Sequence, residues 1–507
     1  MKIYKTGKTV WENKHETFRQ KLHNIYDLRN DDFNDLVESY NDSTIAIQDI
    51  IQEAIKSNKR IRVIGGEWSW SKVGATDGFL LNSKPLNISF RINNANIDPN
   101  YQKTADDLYF AQCGVSVLEL NDRLNRRKRS LKTSGASNGQ TIAGALSTGT
   151  HGSAIDVGSI QDFVVTLHII VSPVRHILLE RKSYPVVSES FRSRLNAELI
   201  RDDELFNAAL VSFGSFGFIH GIMIETDPLF LYECFRINVK ADNSIYRLME
   251  TLDFNNSGLP YGAERPYHFQ ALINQYESDK PVYLTAMYRR PYVDGYPKPA
   301  VSLPGFVPGD DLPAFIGKLT QVVPRLVPTI VNNLIHSSYP PFKEIWGTHG
   351  EIFSNTDLRG KVLSAAIGVS LDDVNTVREI FLKMNKQIGP FSGVLAFRYV
   401  KGTKATLGFT RFDPTCIIEL DAVYSKSAFI FYNKLWDELE ANNIHFTFHW
   451  GKVHELNELR LAKQYGLNAI NNWIDSRNKL MIDISSINAF NNEYLKICGL
   501  DKIALNV

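Results

Sequence analysis

The chain has 507 residues, 44% of them hydrophobic and 22% charged, and its 56 basic and 55 acidic side chains leave a net charge of +1. That length exceeds one ordinary core and predicts at least two domains. The charge balance excludes a nucleic-acid binder of the usual basic kind, and no apolar run reaches the roughly eighteen residues of a membrane span. Cys113, Cys234, Cys416 and Cys498 lie far apart without a Cys-x-x-Cys pair, which reads as buried free thiols and not as a zinc or redox site. The first residues carry no apolar secretory segment, so the expected location is cytoplasmic.

In chain order, Asp42, Ser43 and Thr44 offer N-cap side chains for a helix over 45–56, whose apolar face is Ile47, Ile50, Ile51, Ala54 and Ile55. A strand over 61–64 runs into a small-residue loop, Gly65-Gly66-Glu67-Trp68-Ser69-Trp70. Residues 80–81, 88–90 and 108–111 read as strands, and 116–127 as a helix with Val117, Leu120, Asn121 and Leu124 on one face. The basic run 123–129 reads as the solvated end of that helix, with a phosphate or partner patch as the alternative. The stretch from Ala143 to Ser153 contains glycine, alanine, leucine, small hydroxyl residues and His151, with no acid, lysine or arginine. Glycine is costly in a helix or strand interior, so this stretch is expected to be a loop whose backbone amides approach an anionic ligand.

Residues 163–171 form the strongest strand pattern, rich in β-branched side chains. A short helix over 204–209 and a strand over 221–226 close a first α+β domain near residue 230. Beyond it, two proline-rich stretches, 291–313 and 324–341, are expected to be surface excursions or a lid. Strands over 362–369, 393–400 and 416–422 and helices over 371–386 and 427–442 then describe a second α+β domain. His220, His268, His336 and His349 lack metal-ligand spacing, and the phosphate-loop, zinc-protease and serine-hydrolase motifs are absent.

Four motifs follow one another: Gly-Gly-x-x-Ser-Trp from Gly65, Ala-Gly-Ala-Leu-Ser-Thr-Gly-Thr-His-Gly-Ser from Ala143, Gly-Ser-Phe-Gly-Phe-Ile from Gly214, and His449-Trp450-Gly451-Lys452. In this order they resemble the flavin oxidases of the vanillyl-alcohol oxidase and p-cresol methylhydroxylase type, most of all the branch holding alditol oxidase and the sugar-lactone oxidases. The resemblance implies a two-domain α+β flavoprotein: an FAD-binding domain over 1–230, a substrate or cap domain over 231–440, and a segment over 441–507 that returns to the first. It implies FAD with its pyrophosphate on the amides of Gly65, Gly66, Glu67, Trp68 and Ser69 and of Gly149, Thr150, His151, Gly152 and Ser153. Trp70, Gly144 and Thr148 would pack around the cofactor, Ser137 would face the flavin or substrate, and Gly217 and Ile219 would lie near the adenine. His151 would satisfy hydrogen bonds of the phosphate loop.

Two departures from the pattern matter. Trp68 stands where many relatives carry the histidine that bonds to the flavin, which implies FAD held without a covalent link. Ala396-Phe397-Arg398 replaces a Glu-x-Arg pair; the arginine is kept and the carboxylate is lost. Glu419, on the expected neighbouring strand, is the candidate replacement, with an ordinary polar-face residue as the alternative. The changes favour a substrate larger or less polar than a simple polyol. Lys452 would be the cation that stabilises reduced flavin or a substrate contact, and Arg398 would support transition-state charge or bind a substrate acid. His449 would orient the flavin or accept a proton. The implied activity is hydride transfer from a CH–OH or related group of a small molecule, with O2 reoxidising the flavin to give hydrogen peroxide. Alternatives are a dehydrogenase with another acceptor, a tailoring enzyme of specialised metabolism, and a flavin-binding protein without turnover.

Overall fold

The computed structural model describes residues 1–30, 33–255, 257–262, 264–298, 324–354 and 361–503. It is an α+β protein in which three main sheets carry the chain. A four-stranded sheet orders Lys2–Lys5, Asn24–Arg29, Phe79–Asn82 and Ile61–Ile64. A six-stranded sheet orders Glu198–Arg201, Arg175–Glu180, Val164–Ser172, Phe218–Glu225, Leu108–Gln112 and Ser89–Phe90. Val164–Ser172 is buried along its whole length, as a β-branched run between two covered faces should be.

The eight-stranded sheet is antiparallel throughout and orders Phe342–Gly347, Phe230–Val239, Val282–Pro291, His268–Ile273, Gly393–Val400, Thr415–Val423, Val362–Ser370 and Phe446–Phe448. Its last strand comes from the stretch beyond 440. The helices after it turn to the first half of the chain: Trp473 Nε1 donates to Val211 O at 3.2 Å, and Arg62 Nη1 donates to Phe490 O at 3.0 Å. All four cysteines are buried and free. Among the described residues no helix is long and apolar enough to cross a membrane, and no cluster of metal-ligating side chains occurs.

Three sequence expectations need correction. The first long helix is Leu36–Lys56, capped by Asp35, whose Oδ1 accepts from the amides of Val37 and Glu38. Ser43 and Thr44 lie inside it because their hydroxyls have other partners, Tyr40 O and the ring of His220. The stretch beginning at Ala143 is not all loop: Ile142–Thr148 is an α-helix, capped by Thr141 and ended by Gly149 at φ +77°. Burial of Ile142, Ala145 and Leu146 offsets the penalty of Gly144 inside the helix. Val327–Ser338 is also helical, with Pro328 in its first turn, where a missing N–H costs nothing. Its buried Val327, Val331 and Ile335 pack with Leu272, Tyr283, Val394 and Ala396 of the large sheet. The rest of the first proline-rich stretch, from 299, lies outside the described residues.

Candidate active site

Where the sheet systems meet, a cleft with an empty volume of about 1390 Å³, including its open mouth, runs between them. One wall is the turn after Ile61–Ile64. Another is the Ile142–Thr148 helix with the loop before it. The far end is closed by side chains of the eight-stranded sheet. The walls are glycine-built for a physical reason. A Cβ on Gly65 would lie 2.1 Å from Thr141 Oγ1, and one on Gly66 would lie 2.6 Å from Gly139 O. Gly217 holds φ +108° with Ile170 O 2.4 Å from the place of a Cβ. A side chain at Gly65 would need Thr141 to move, and one at Gly66 or Gly217 would need the backbone to move.

The polar inventory of the cleft suits an extended dinucleotide. Ser137 Oγ and Gln140 Oε1 are buried without a hydrogen-bond partner among the described residues, and both residues line the space. Arg62 also lines it, but its guanidinium is spent on the carbonyls of Val73, Phe213, Gly214 and Phe490. The walls therefore offer amides and hydroxyls to a phosphate more than they offer a basic cluster.

Of the residues expected from sequence, Gly65, Gly66, Glu67, Trp68, Ser69, Trp70, Ser137, Gly144, Thr148, Thr150, His151, Gly217, Ile219, Arg398, Glu419, His449 and Lys452 all line this cleft. Gly149, Gly152 and Ser153 do not. Gly149 ends the helix and packs on Phe409. Gly152 is pressed against Thr133 and Ser134, with no room for a Cβ. Ser153 is turned to the large sheet, where its hydroxyl donates to Phe269 O and accepts from Tyr399 N. Sequence reading missed Trp11, Cys113, Gln140, Thr141, Phe213 and Gly214, which also line the cleft. Gln140 and Thr141 abut the small-residue stretch and were legible from that position; Trp11 carried no local signal. Burial pushes the Cys113 thiol up to about 12.

The charged end is organised by strand register. Ala396 pairs directly with Glu419 in the antiparallel ladder, so both project from the same face. Arg398, two residues along, shares that face. Glu419 Oε2 lies 2.8 Å from Arg398 Nε, and Glu419 Oε1 lies 2.5 Å from Lys452 Nζ. His151 Nε2 is 3.7 Å from the same Oε1, and all four residues are buried. A carboxylate therefore stands directly across from position 396, on the adjacent strand. Burial alone would raise the Glu419 pKa, but Arg398 and then Lys452 outweigh it and hold the carboxyl well below the usual range.

His151 belongs to this end of the cleft, and its imidazole contacts the charged cluster instead of serving only the backbone of its loop. Burial lowers its pKa to about 3; the opposing pull of Glu419 is answered by Lys452 and Arg398. Its Nδ1 meets Gly152 O at 3.0 Å, which assigns the proton to Nδ1 and leaves the Nε2 lone pair toward Glu419. His449 has the opposite tautomer: its Nδ1 accepts from Gly451 N at 3.0 Å, so Nε2 carries the proton. Burial, with His151 and Lys452 nearby, holds its pKa well below the ordinary value. Trp70 is anchored to the large sheet, its Nε1 donating to Val362 O at 2.8 Å.

Comparison with known proteins places this geometry. Residues 40–173 match a family described as an FAD binding domain. L-gulono-1,4-lactone dehydrogenase of Mycobacterium tuberculosis is 26% identical over 257 residues, which is 51% of this chain and 49% of that protein. D-arabinono-1,4-lactone oxidase of Candida glabrata is 26% identical over 206 residues, 41% of this chain and 33% of that protein. The matched segments thus span a third to a half of these relatives' own lengths. The crystal structure of cholesterol oxidase from B. sterolicum shares the fold, with a TM-score of 0.68 at 14% identity, covering 98% of this chain and 97% of that one.

Proposed function

We propose that the cleft holds FAD without a covalent link and that the protein oxidises a CH–OH group of a small molecule, passing the electrons to O2 to give hydrogen peroxide. The observation that carries this reading is that both glycine-built walls of the FAD binding domain end at the buried Glu419–Arg398–Lys452 cluster of the large sheet. Bound FAD supplies the hydride acceptor. Arg398 and Lys452 present two fixed cations where negative charge develops, in a site too buried for water to screen them. Glu419, held ionised between them, aligns both cations. His151 Nε2 takes the hydroxyl proton; its 3.7 Å approach to Glu419 then becomes an ion pair. His449 Nε2–H is the matching donor.

Trp68 supports the absence of a tether, since indole has no nucleophilic nitrogen to offer. Trp70, which lines the cleft and packs on the apolar cluster of Leu272, Tyr283, Val394 and Ala396, favours a substrate less polar than a polyol. The test is anaerobic mixing of the FAD-loaded protein with panels of polyols, aldonolactones and hydrophobic alcohols. Bleaching of the flavin by one class, followed by peroxide on re-aeration, is expected. Bleaching without peroxide would replace oxygen with another acceptor, and no bleaching by any class would remove the oxidoreductase reading.

A further inference from the structure

Residues 10–21 form a β-hairpin, with Val10–Glu12 paired to Arg19–Lys21, that hydrogen-bonds into none of the larger sheets. A lone two-stranded ribbon is marginal by itself. One side of it faces solvent, with Val10, Lys14 and Glu16 exposed, while Trp11, Asn13 and His15 are buried, the last two at 2% and 1% exposure. The buried side lies against the first glycine loop.

There it takes three successive carbonyls. Lys14 N donates to Glu67 O at 3.1 Å, His15 Nε2 meets Trp68 O at 2.9 Å, and Asn13 Nδ2 donates to Ser69 O at 3.1 Å. Trp11 Nε1 adds a bond to Glu67 Oε2 at 2.7 Å, and the His15 ring lies flat on Trp70 at 3.8 Å. Asn13 is itself fixed, accepting from the amides of Thr17 and Phe18. Glu67 has φ +63°, a conformation a non-glycine residue keeps only when its surroundings impose it.

A trans peptide unit is planar and points its C=O and the next N–H to opposite sides. Holding the carbonyls of Glu67, Trp68 and Ser69 toward the hairpin turns the amides of Trp68, Ser69 and Trp70 away from it. The Trp70 amide meets Gly451 O at 2.8 Å, while those of Trp68 and Ser69 donate to no acceptor among the described residues, and both residues line the cleft.

We propose that this hairpin is part of the cofactor site: Asn13, Lys14 and His15 set the peptide planes of 67–69 so that the Trp68 and Ser69 amides converge on the diphosphate of bound FAD. The assignment rests on the FAD reading above. Asn13 and His15 are positioning residues, and with Trp68 in place of a tether the hairpin is what keeps the loop closed on its ligand.

The test compares dissociation constants for FAD, ADP and riboflavin in the full chain and in Asn13→Asp, which keeps the turn acceptor and loses the donor to Ser69 O, and His15→Phe, which keeps the ring on Trp70 and loses the bond to Trp68 O. Each is expected to weaken FAD and ADP roughly three- to tenfold, and the pair together more than tenfold, with riboflavin, which has no phosphate, changed less than twofold. Trp11→Phe, a milder change, is expected to weaken FAD and ADP about threefold, and it carries the test if the other two fail to fold. Constants for FAD and ADP within twofold of the parent, or an equal loss for riboflavin, would overturn the inference. A parent chain that binds no FAD would instead remove the reading beneath it.

Discussion

Glu419→Gln tests the charged end most sharply. The substitution keeps shape and volume and removes one negative charge from between Arg398 Nε at 2.8 Å and Lys452 Nζ at 2.5 Å, with the carboxylate only 2% exposed. Removing one partner of a buried ion pair costs about 3–5 kcal/mol, because the other charge stays desolvated. For a cooperative unit of this length each kcal/mol is worth about 1 °C, so Tm should fall by about 3–5 °C. If the carboxylate also aligns the two cations for chemistry, anaerobic flavin reduction should slow at least tenfold in the variant that still holds FAD. The register offers a rescue. Because Ala396 and Glu419 are direct cross-strand partners, their Cβ atoms stand about 5 Å apart, and the double variant Ala396→Glu, Glu419→Ala returns a carboxylate to the same face. Differential scanning calorimetry and stopped-flow reduction should show partial recovery of both quantities relative to Glu419→Ala alone. Parental Tm and parental reduction rate in Glu419→Gln would refute the reasoning, whatever the double variant did.

Other consequences are accessible to simple assays. Lys452→Met should slow flavin reduction while leaving FAD bound, measured by stopped flow; unchanged kinetics would take Lys452 out of the chemistry. Gly217→Ala should raise the FAD dissociation constant and lower Tm, since the residue sits at φ +108° with Ile170 O 2.4 Å from any added Cβ; an unaltered protein would show that the backbone there relaxes freely. Burial lowers the histidines at 15 and 454 to about 4 and those at 151, 220 and 349 to about 3. A group whose folded pKa is depressed contributes stability above its unfolded value, about 6.5, and loses it as pH falls toward the folded value. The urea midpoint should therefore be flat from pH 8 to 7 and fall steadily from about pH 6.5 toward 4; a midpoint constant over that lower range would contradict the neutral buried imidazoles.

Much of this architecture was legible in the sequence, and the failures have physical reasons. Strong β-branched runs such as 164–172, and glycines followed by small polar residues, announce themselves locally. The Ile142–Thr148 helix did not, because a stretch poor in long side chains looks flexible until Ile142, Ala145 and Leu146 are seen to be buried. The cap of the first long helix was misread because Ser43 and Thr44, good caps by type, instead bond back to Tyr40 O within the helix and meet His220 from a distant strand. Glu419 was identifiable as a candidate, but its standing opposite Ala396 is a fact of strand register that spacing alone does not fix. His151 was assigned to its loop because nothing local says that the second sheet delivers Glu419 to it. The hairpin at 10–21 was silent for the same reason: its partners lie some fifty residues on, in a turn whose carbonyl directions no sequence pattern reveals.

The central claim is that this cleft holds one FAD per chain by non-covalent contacts alone. Purifying the protein in the presence of FAD, removing the excess, and precipitating with acid tests it directly. A yellow protein whose colour passes entirely into the supernatant, with one FAD recovered per chain, is the predicted result. A protein that takes up no flavin, or a pellet that keeps its colour, would contradict it.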